Sequence, residues 1–175
     1  MYTVTSERLI FRTLTKEDVT KQYVGWLNDS EINQFLETRF SEQNLETCEQ
    51  FVTQMQNDSN SFLFGIFSKE SNVHMGNIKL GFINNHHGSG QLSLFIGEKS
   101  QWGKGLATES IETITKWGFD ELSLKRVEAG CYDNNMGSLR AFLKAGYAVE
   151  GFFKSSVIFK NKRIGSFWLG ITNDG

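Results

Sequence analysis

The feature that most narrows the choice of fold is one join between a strand and a helix. Leu92-Ser93-Leu94-Phe95-Ile96 alternates with a period of two and reads as a strand. Ala107, Ile111, Ile114 and Gly118 recur at i, i+4, i+7 and i+11, which is one face of a helix. Between the two runs lies Gln101-Trp102-Gly103-Lys104-Gly105-Leu106-Ala107-Thr108. A glycine loop therefore carries the end of a strand into the start of a helix.

Such a loop suits an anion. The first N-H groups of a helix lack internal partners and sit at the positive end of its dipole. Gly103 and Gly105 let the backbone approach a ligand and adopt positive φ, so several amides can face one pyrophosphate, and Lys104 adds a cation. A plain tight turn is the alternative reading of two glycines. Two better-known phosphate loops do not fit. No stretch has the spacing of the nucleotide-triphosphate loop, and a dinucleotide fingerprint would want Gly or Ala at Thr108 and several βα units after it.

Composition sets the frame. The 175 residues are enough for one domain, expected to span 1–175, with 39% hydrophobic and 13% aromatic residues as in compact globular chains. A net charge of −2 argues against nucleic acid as a partner. Cys48 and Cys131 read as small buried thiols, with no disulfide framework and no metal site expected. There is no apolar run long enough to span a bilayer, and Met1 to Phe11 includes Glu7 and Arg8, so the expectation is a soluble, cytoplasmic protein without a membrane partner.

Taken in order, Arg8 to Leu14 reads as a first strand, and Thr15 with Asp18 as the capped start of a helix that ends at Trp26-Leu27. Asn28-Asp29-Ser30-Glu31 looks like a second capped start, leading into Ile32, Phe35 and Leu36. A third helix is expected from about Asn44 to Gln56, with Cys48, Phe51, Val52 and Met55 on one face. Phe62 to Phe67 and Val73 to Ile83 form a hairpin about a polar turn, and residues 84–90 a longer loop. Arg126 to Tyr132 alternates, placing Val127, Ala129 and Cys131 on one side. It is expected to lie parallel to the strand at Leu92 through a right-handed crossover. A turn at 133–138 leads into a short helix bearing Leu139, Phe142 and Leu143, with Gly146 as its C′ residue. Tyr147 to Phe153, Val157 to Phe159 and Ile164 to Ile171 complete the sheet. The fold class is α/β (α+β), a mostly antiparallel central sheet flanked by helices, with one parallel βαβ unit.

In that order the residues resemble the GNAT acyl-CoA-dependent N-acetyltransferases, and more closely the branch of ribosomal-protein N-terminal acetyltransferases of RimJ/RimL type. The resemblance is carried by Glu7-Arg8-Leu9 with Phe11-Arg12, Trp26-Leu27-Asn28-Asp29, Gly76-Asn77-Ile78, Trp102-Gly103-Lys104-Gly105 with Ala107-Thr108-Glu109, Asn135, Gly137-Ser138, Lys144-Ala145-Gly146-Tyr147 and Glu150-Gly151. It implies transfer of an acetyl group from acetyl-CoA to an amine by direct attack in a ternary complex. The implied pyrophosphate loop is Gly103, Lys104, Gly105, Leu106, Ala107 and Thr108. The strand that hydrogen-bonds the pantetheine arm is placed at Phe95, Ile96 and Gly97. Asn135 matches the family asparagine that contacts the arm, and Ser138 a serine near the thioester sulfur. Trp102 stands where most members have Gln or Arg, which leaves pyrophosphate contact to the backbone. Phe142 stands where many have a tyrosine acid.

Direct attack needs an unprotonated amine, a donor for the oxyanion and stabilisation of the departing thiolate. A backbone N-H near Ile96 is expected to serve the oxyanion, and Ser138 the sulfur, with a helix N-cap as the serine's plain alternative. Glu98, Glu150 and Glu31 are the candidate bases, Glu98 first because it follows the thioester strand, and a water relay is the further option. His86 and His87 sit in a polar loop without a third ligand. The acceptor is expected to be a protein N-terminus. An amino-sugar nucleotide, which Asn28 to Phe35 also resembles, or another small amine is the alternative. A homodimer and a non-catalytic acyl-CoA-binding module are left open.

Overall fold

The computed structural model describes residues 1–173. Eight strands form one sheet: β1 (Thr3–Thr5), β2 (Leu9–Thr13), β3 (Phe62–Ser68), β4 (His74–Asn84), β5 (Ser89–Ile96), β6 (Arg126–Tyr132), β7 (Ala148–Phe159) and β8 (Lys162–Thr172). Their order is β1-β2-β3-β4-β5-β6-β8-β7. Every pair is antiparallel except β5 with β6, which α3 (Leu106–Leu122) connects. The expected mixed sheet with one parallel βαβ unit is the observed one.

Two apolar clusters sandwich this sheet. On one face α3 and α4 (Met136–Lys144) bring Ile111, Ile114, Leu139 and Phe142 against Phe64, Ile66, Ile78, Val127, Ala129 and Leu169. On the other, α1 (Lys21–Asn28) and α2 (Leu45–Asn57) bring Tyr23, Trp26, Leu27, Cys48 and Val52 against Leu63 and Phe67. β3 serves both clusters because alternate strand residues face opposite ways.

Several expected boundaries shift. The helix from Thr15 is a 3₁₀ turn, Lys16–Asp18, followed by the separate α1. Asp18 is drawn into an ion pair with Arg12 at 2.6 Å, and Thr20 supplies a fresh cap by accepting from the Tyr23 N-H at 3.2 Å. Past α1, the Asp29 side chain accepts from the Glu31 and Ile32 N-H groups, as a cap would, but two 3₁₀ turns follow in place of an α-helix, Asn33–Phe35 and Glu37–Phe40. α2 matches its expected span, although Phe51 is exposed while Cys48 and Val52 are buried. β5 starts three residues before the expected run, which shortens the preceding loop, and residues 148–159 are one bulged strand where two were expected. The short β1 was not foreseen.

His74 is an unforeseen occupant of the α1/α2 face. Its ring stacks on Phe67 (4.6 Å, 20°), and its Nε2 lies 2.7 Å from Asn77 Oδ1 and 3.0 Å from Gly76 O. Two acceptors make Nε2 the protonated nitrogen. Burial holds the imidazole pKa below its ordinary 6.5, against the opposing hydrogen bonds to Asn77 and Gly76 and the charge of Asp18. The unfolded chain therefore binds this proton more readily. The stabilisation is present above pH 6.5 and is lost as pH falls from there through the depressed folded value. Tm measured from pH 7.5 to 5.5 is expected to decline, and His74→Phe to flatten that slope; an unchanged slope would assign the decline to other groups.

Candidate active site

β5 and β6 pair only at Ser89↔Arg126, Gly90↔Val127 and Gln91↔Glu128. Beyond Gln91 they diverge, while β5 stays in register with β4 as far as Ile96. The gap opens toward the carboxyl ends of both strands, where α3 and α4 begin. Gly97 N-H donates to Met75 O at 2.8 Å on the β4 side, so by the alternation of an antiparallel ladder the Ile96 groups face the gap. Trp102 Nε1 donates to the Ile96 carbonyl at 2.8 Å and so fastens the loop to the strand end. Of the three expected backbone contacts, Phe95 and Gly97 point toward β4 and Ile96 toward the gap.

Gly97 is buried beneath Trp26, and a Cβ there would run into the indole ring. α1 is thus seated directly on the strand end.

The glycine loop has the backbone its sequence requires. Gly103 (φ 77°) and Gly105 (φ 82°) are left-handed, and Gly105 occupies the N-cap position of α3. The main-chain N-H groups of Gly103, Gly105, Leu106, Ala107 and Thr108 make no hydrogen bond to any described residue. A Cβ at Gly103 would meet nothing within 4 Å, which leaves this side of the loop open. Arg8 braces the loop, donating from Nη1 to Lys104 O at 2.9 Å and from Nε to Glu109 Oε2 at 2.7 Å, and lines a cleft with Gly105 and Thr108. Burial pushes the Glu109 carboxyl up, but hydrogen bonds from Ser6 and Arg8 outweigh it and hold the pKa below the usual range.

At the start of α4, Asn135 and not Ser138 is the cap. Asn135 Oδ1 accepts from the Ser138 N-H at 3.2 Å. Ser138 stands in the first turn, half-buried, and its Oγ has no hydrogen bond among the described residues. Phe142 is buried against Tyr147 (5.0 Å), whose hydroxyl meets Thr115 Oγ1 at 2.6 Å inside the core.

The three candidate carboxylates stand in different settings. Glu31 pairs with Lys99 at 2.7 Å, and Glu150 accepts from Arg126 Nη1 at 2.9 Å, a bond that lowers its pKa. Glu98 has no cationic partner among the described residues; Ser100 Oγ donates to its Oε1 at 2.8 Å. It lines a cleft of about 720 Å³ together with Arg8, Lys69, Met75 and Gln101.

Sequence reading missed a cluster at the mouth of the gap. Tyr132, the last residue of β6, donates to Glu37 Oε1 at 2.8 Å and accepts from Arg39 Nη2 at 2.8 Å. Arg39 also donates to Leu36 O and Ile158 O, while Phe35 stacks on Phe159 (5.4 Å, 13°). These contacts fold the 3₁₀ segment over the ends of β6 and β7. Separations of about 95 and 119 residues along the chain leave no local pattern to find.

A family model described as an acetyltransferase (GNAT) domain matches residues 8–148. An uncharacterized N-acetyltransferase, p20 of Bacillus licheniformis, is 24% identical over 98% of this chain and 96% of its own. The spermidine N-acetyltransferase of Vibrio cholerae, solved with CoA and spermine, superposes with a TM-score of 0.84 at 18% identity, covering 95% of this chain and 96% of that one. RimL, a ribosomal L7/L12 α-N-protein acetyltransferase solved with coenzyme A, gives 0.88 at 14% identity over 99% of each chain. At such identities the two structures establish the shared fold.

Proposed function

This chain belongs to the acetyltransferase (GNAT) domain family and is an acetyl-CoA-dependent N-acetyltransferase, and from that premise we propose how it binds its substrates and which amine it uses. The carrying observation is the set of five unpaired amides from Gly103 to Thr108 beside the gap between β5 and β6. In this reading they hold the diphosphate, with Lys104 adding charge. The pantetheine arm runs along Phe95, Ile96 and Gly97, with Asn135 across from it, and delivers the thioester to the mouth.

There the amine attacks the thioester carbon directly. The Ile96 N-H faces the oxyanion, Ser138 Oγ donates to the departing sulfur, and Glu98, the one candidate carboxylate without a cation, takes the amine proton through a water. Ser138→Ala is expected to lower kcat roughly tenfold with little change in the KM for acetyl-CoA. A change confined to KM or to Tm would leave Ser138 as part of the helix turn alone.

The proposed acceptor is the α-amine of a protein N-terminus. A small polyamine or amino-sugar amine is the second reading, favoured by the exposed Glu37 carboxylate at the mouth, which Arg39 meets only at 3.7 Å and which could draw a second cation. Thiol release from acetyl-CoA, measured with an N-terminal peptide, spermidine and an amino-sugar nucleotide, discriminates them. The peptide is expected to give the highest kcat/KM. Preference for spermidine or the sugar would select the second reading, and release with none of the three would mean that the acceptor is an amine of another class.

A further inference from the structure

We propose that Arg8 is a positioning residue that sets which way the Lys104-Gly105 peptide faces, and through it the affinity for a diphosphate. The proposal rests on the reading of Gly103 to Thr108 as the diphosphate cradle.

The C=O and N-H of one trans peptide point in opposite directions. Arg8 Nη1 holds the Lys104 carbonyl at 2.9 Å, so the Gly105 N-H of the same peptide is turned away from the guanidinium, toward the open side. Turning this peptide changes ψ of Lys104 and φ of Gly105, and Gly105 has no Cβ to resist the change on its side. A half-turn would present the Lys104 oxygen to the phosphates in place of a donor, exchanging attraction for repulsion.

The brace is itself anchored. Glu109 Oε2 receives Arg8 Nε at 2.7 Å, and Oε1 receives both the Arg8 N-H at 2.8 Å and Ser6 Oγ at 2.7 Å. A Cβ built on Gly105 would lie 3.6 Å from Arg8 Nη2, which puts the guanidinium against this residue. Glu109 would on charge alone oppose a nearby diphosphate. Its position is explained if its task is to fix Arg8.

The test follows the Gly105 amide by ¹⁵N-¹H NMR during titration with coenzyme A, and compares affinities for coenzyme A and for pantetheine, which has no diphosphate. In the unmodified protein the Gly105 proton is expected to move downfield. In Arg8→Met that shift should vanish and the Kd for coenzyme A rise roughly tenfold, with pantetheine affinity unchanged. Glu109→Ala should also weaken coenzyme A, whereas loss of a neighbouring negative charge by itself would tighten it. Retention of the Gly105 shift and of affinity in Arg8→Met, equal weakening toward pantetheine, or tighter binding by Glu109→Ala would each overturn the positioning role. An unmodified protein in which no amide from 103 to 108 responds to coenzyme A would instead overturn the cradle itself.

Discussion

Gly105→Glu is expected to raise the Kd for coenzyme A about a hundredfold or more, equivalent to roughly 3 kcal/mol, while the circular dichroism spectrum stays native. Two effects combine. Position 105 has φ 82°, where a side chain costs about 1–2 kcal/mol of backbone strain. That cost falls mainly on stability, because a Cβ there would touch only the end of Arg8. The second effect falls on binding: the added carboxylate emerges beside Arg8, competes with the Lys104 carbonyl for its guanidinium, and sets a negative charge next to the five N-H donors that repels the diphosphate. Gly105→Ala separates the two, since it carries the strain without the charge and should weaken coenzyme A far less. Calorimetry of both variants checks the pair. Equal, small losses would mean that the diphosphate lies elsewhere.

Trp26→Ala is expected to cost about 3–5 kcal/mol of stability and to lower Tm by ~10 °C. Trp26 is 6% exposed and packs edge-on against His74 (5.1 Å) and Phe95 (6.2 Å), with its ring over Gly97. Removing it empties the space between α1 and the end of β5, so the strand carrying Ile96 should lose definition and acetyl transfer should fall with stability. Gly97→Ala alone should also destabilise, because its Cβ has no room beside the indole. In the double variant that collision is gone, and the combined loss should be smaller than the two single losses together. Denaturant unfolding of the four proteins measures the coupling; strict additivity would mean that Trp26 and Gly97 do not confine one another.

Where a structural signal is local, the sequence announced it. The alternation of Arg126 to Tyr132, the helical period through Ile111 and Ile114, the helix beginning at about Asn44 and the C′ residue Gly146 each follow from a few neighbouring residues. The stretches either side of α1, Thr15 to Asp18 and Asp29 to Leu36, departed from their helical reading because partners outside them decide them. Arg12 takes Asp18, Lys99 takes Asp29 and Glu31, and Tyr132 takes Glu37 and Arg39. β1 offered only Val4 as an apolar residue and is held by its pairing with β2. At the site, the glycines were legible because positive φ leaves a mark on composition. The Arg8 brace, spanning 96 residues to Lys104 and 101 to Glu109, leaves none.

The parting of β5 from β6 gives the sheet two inner rims. An outer rim can be met broadside by any passing chain, which is why exposed edges invite aggregation. An inner rim is flanked by the rest of the weave and suits a guest that carries its own donors and acceptors. Such a guest works as a stitch. Its arrival should slow exchange of the Ile96 amide with solvent deuterium, and its release should restore it, so loading of the enzyme is readable as the opening and closing of one seam.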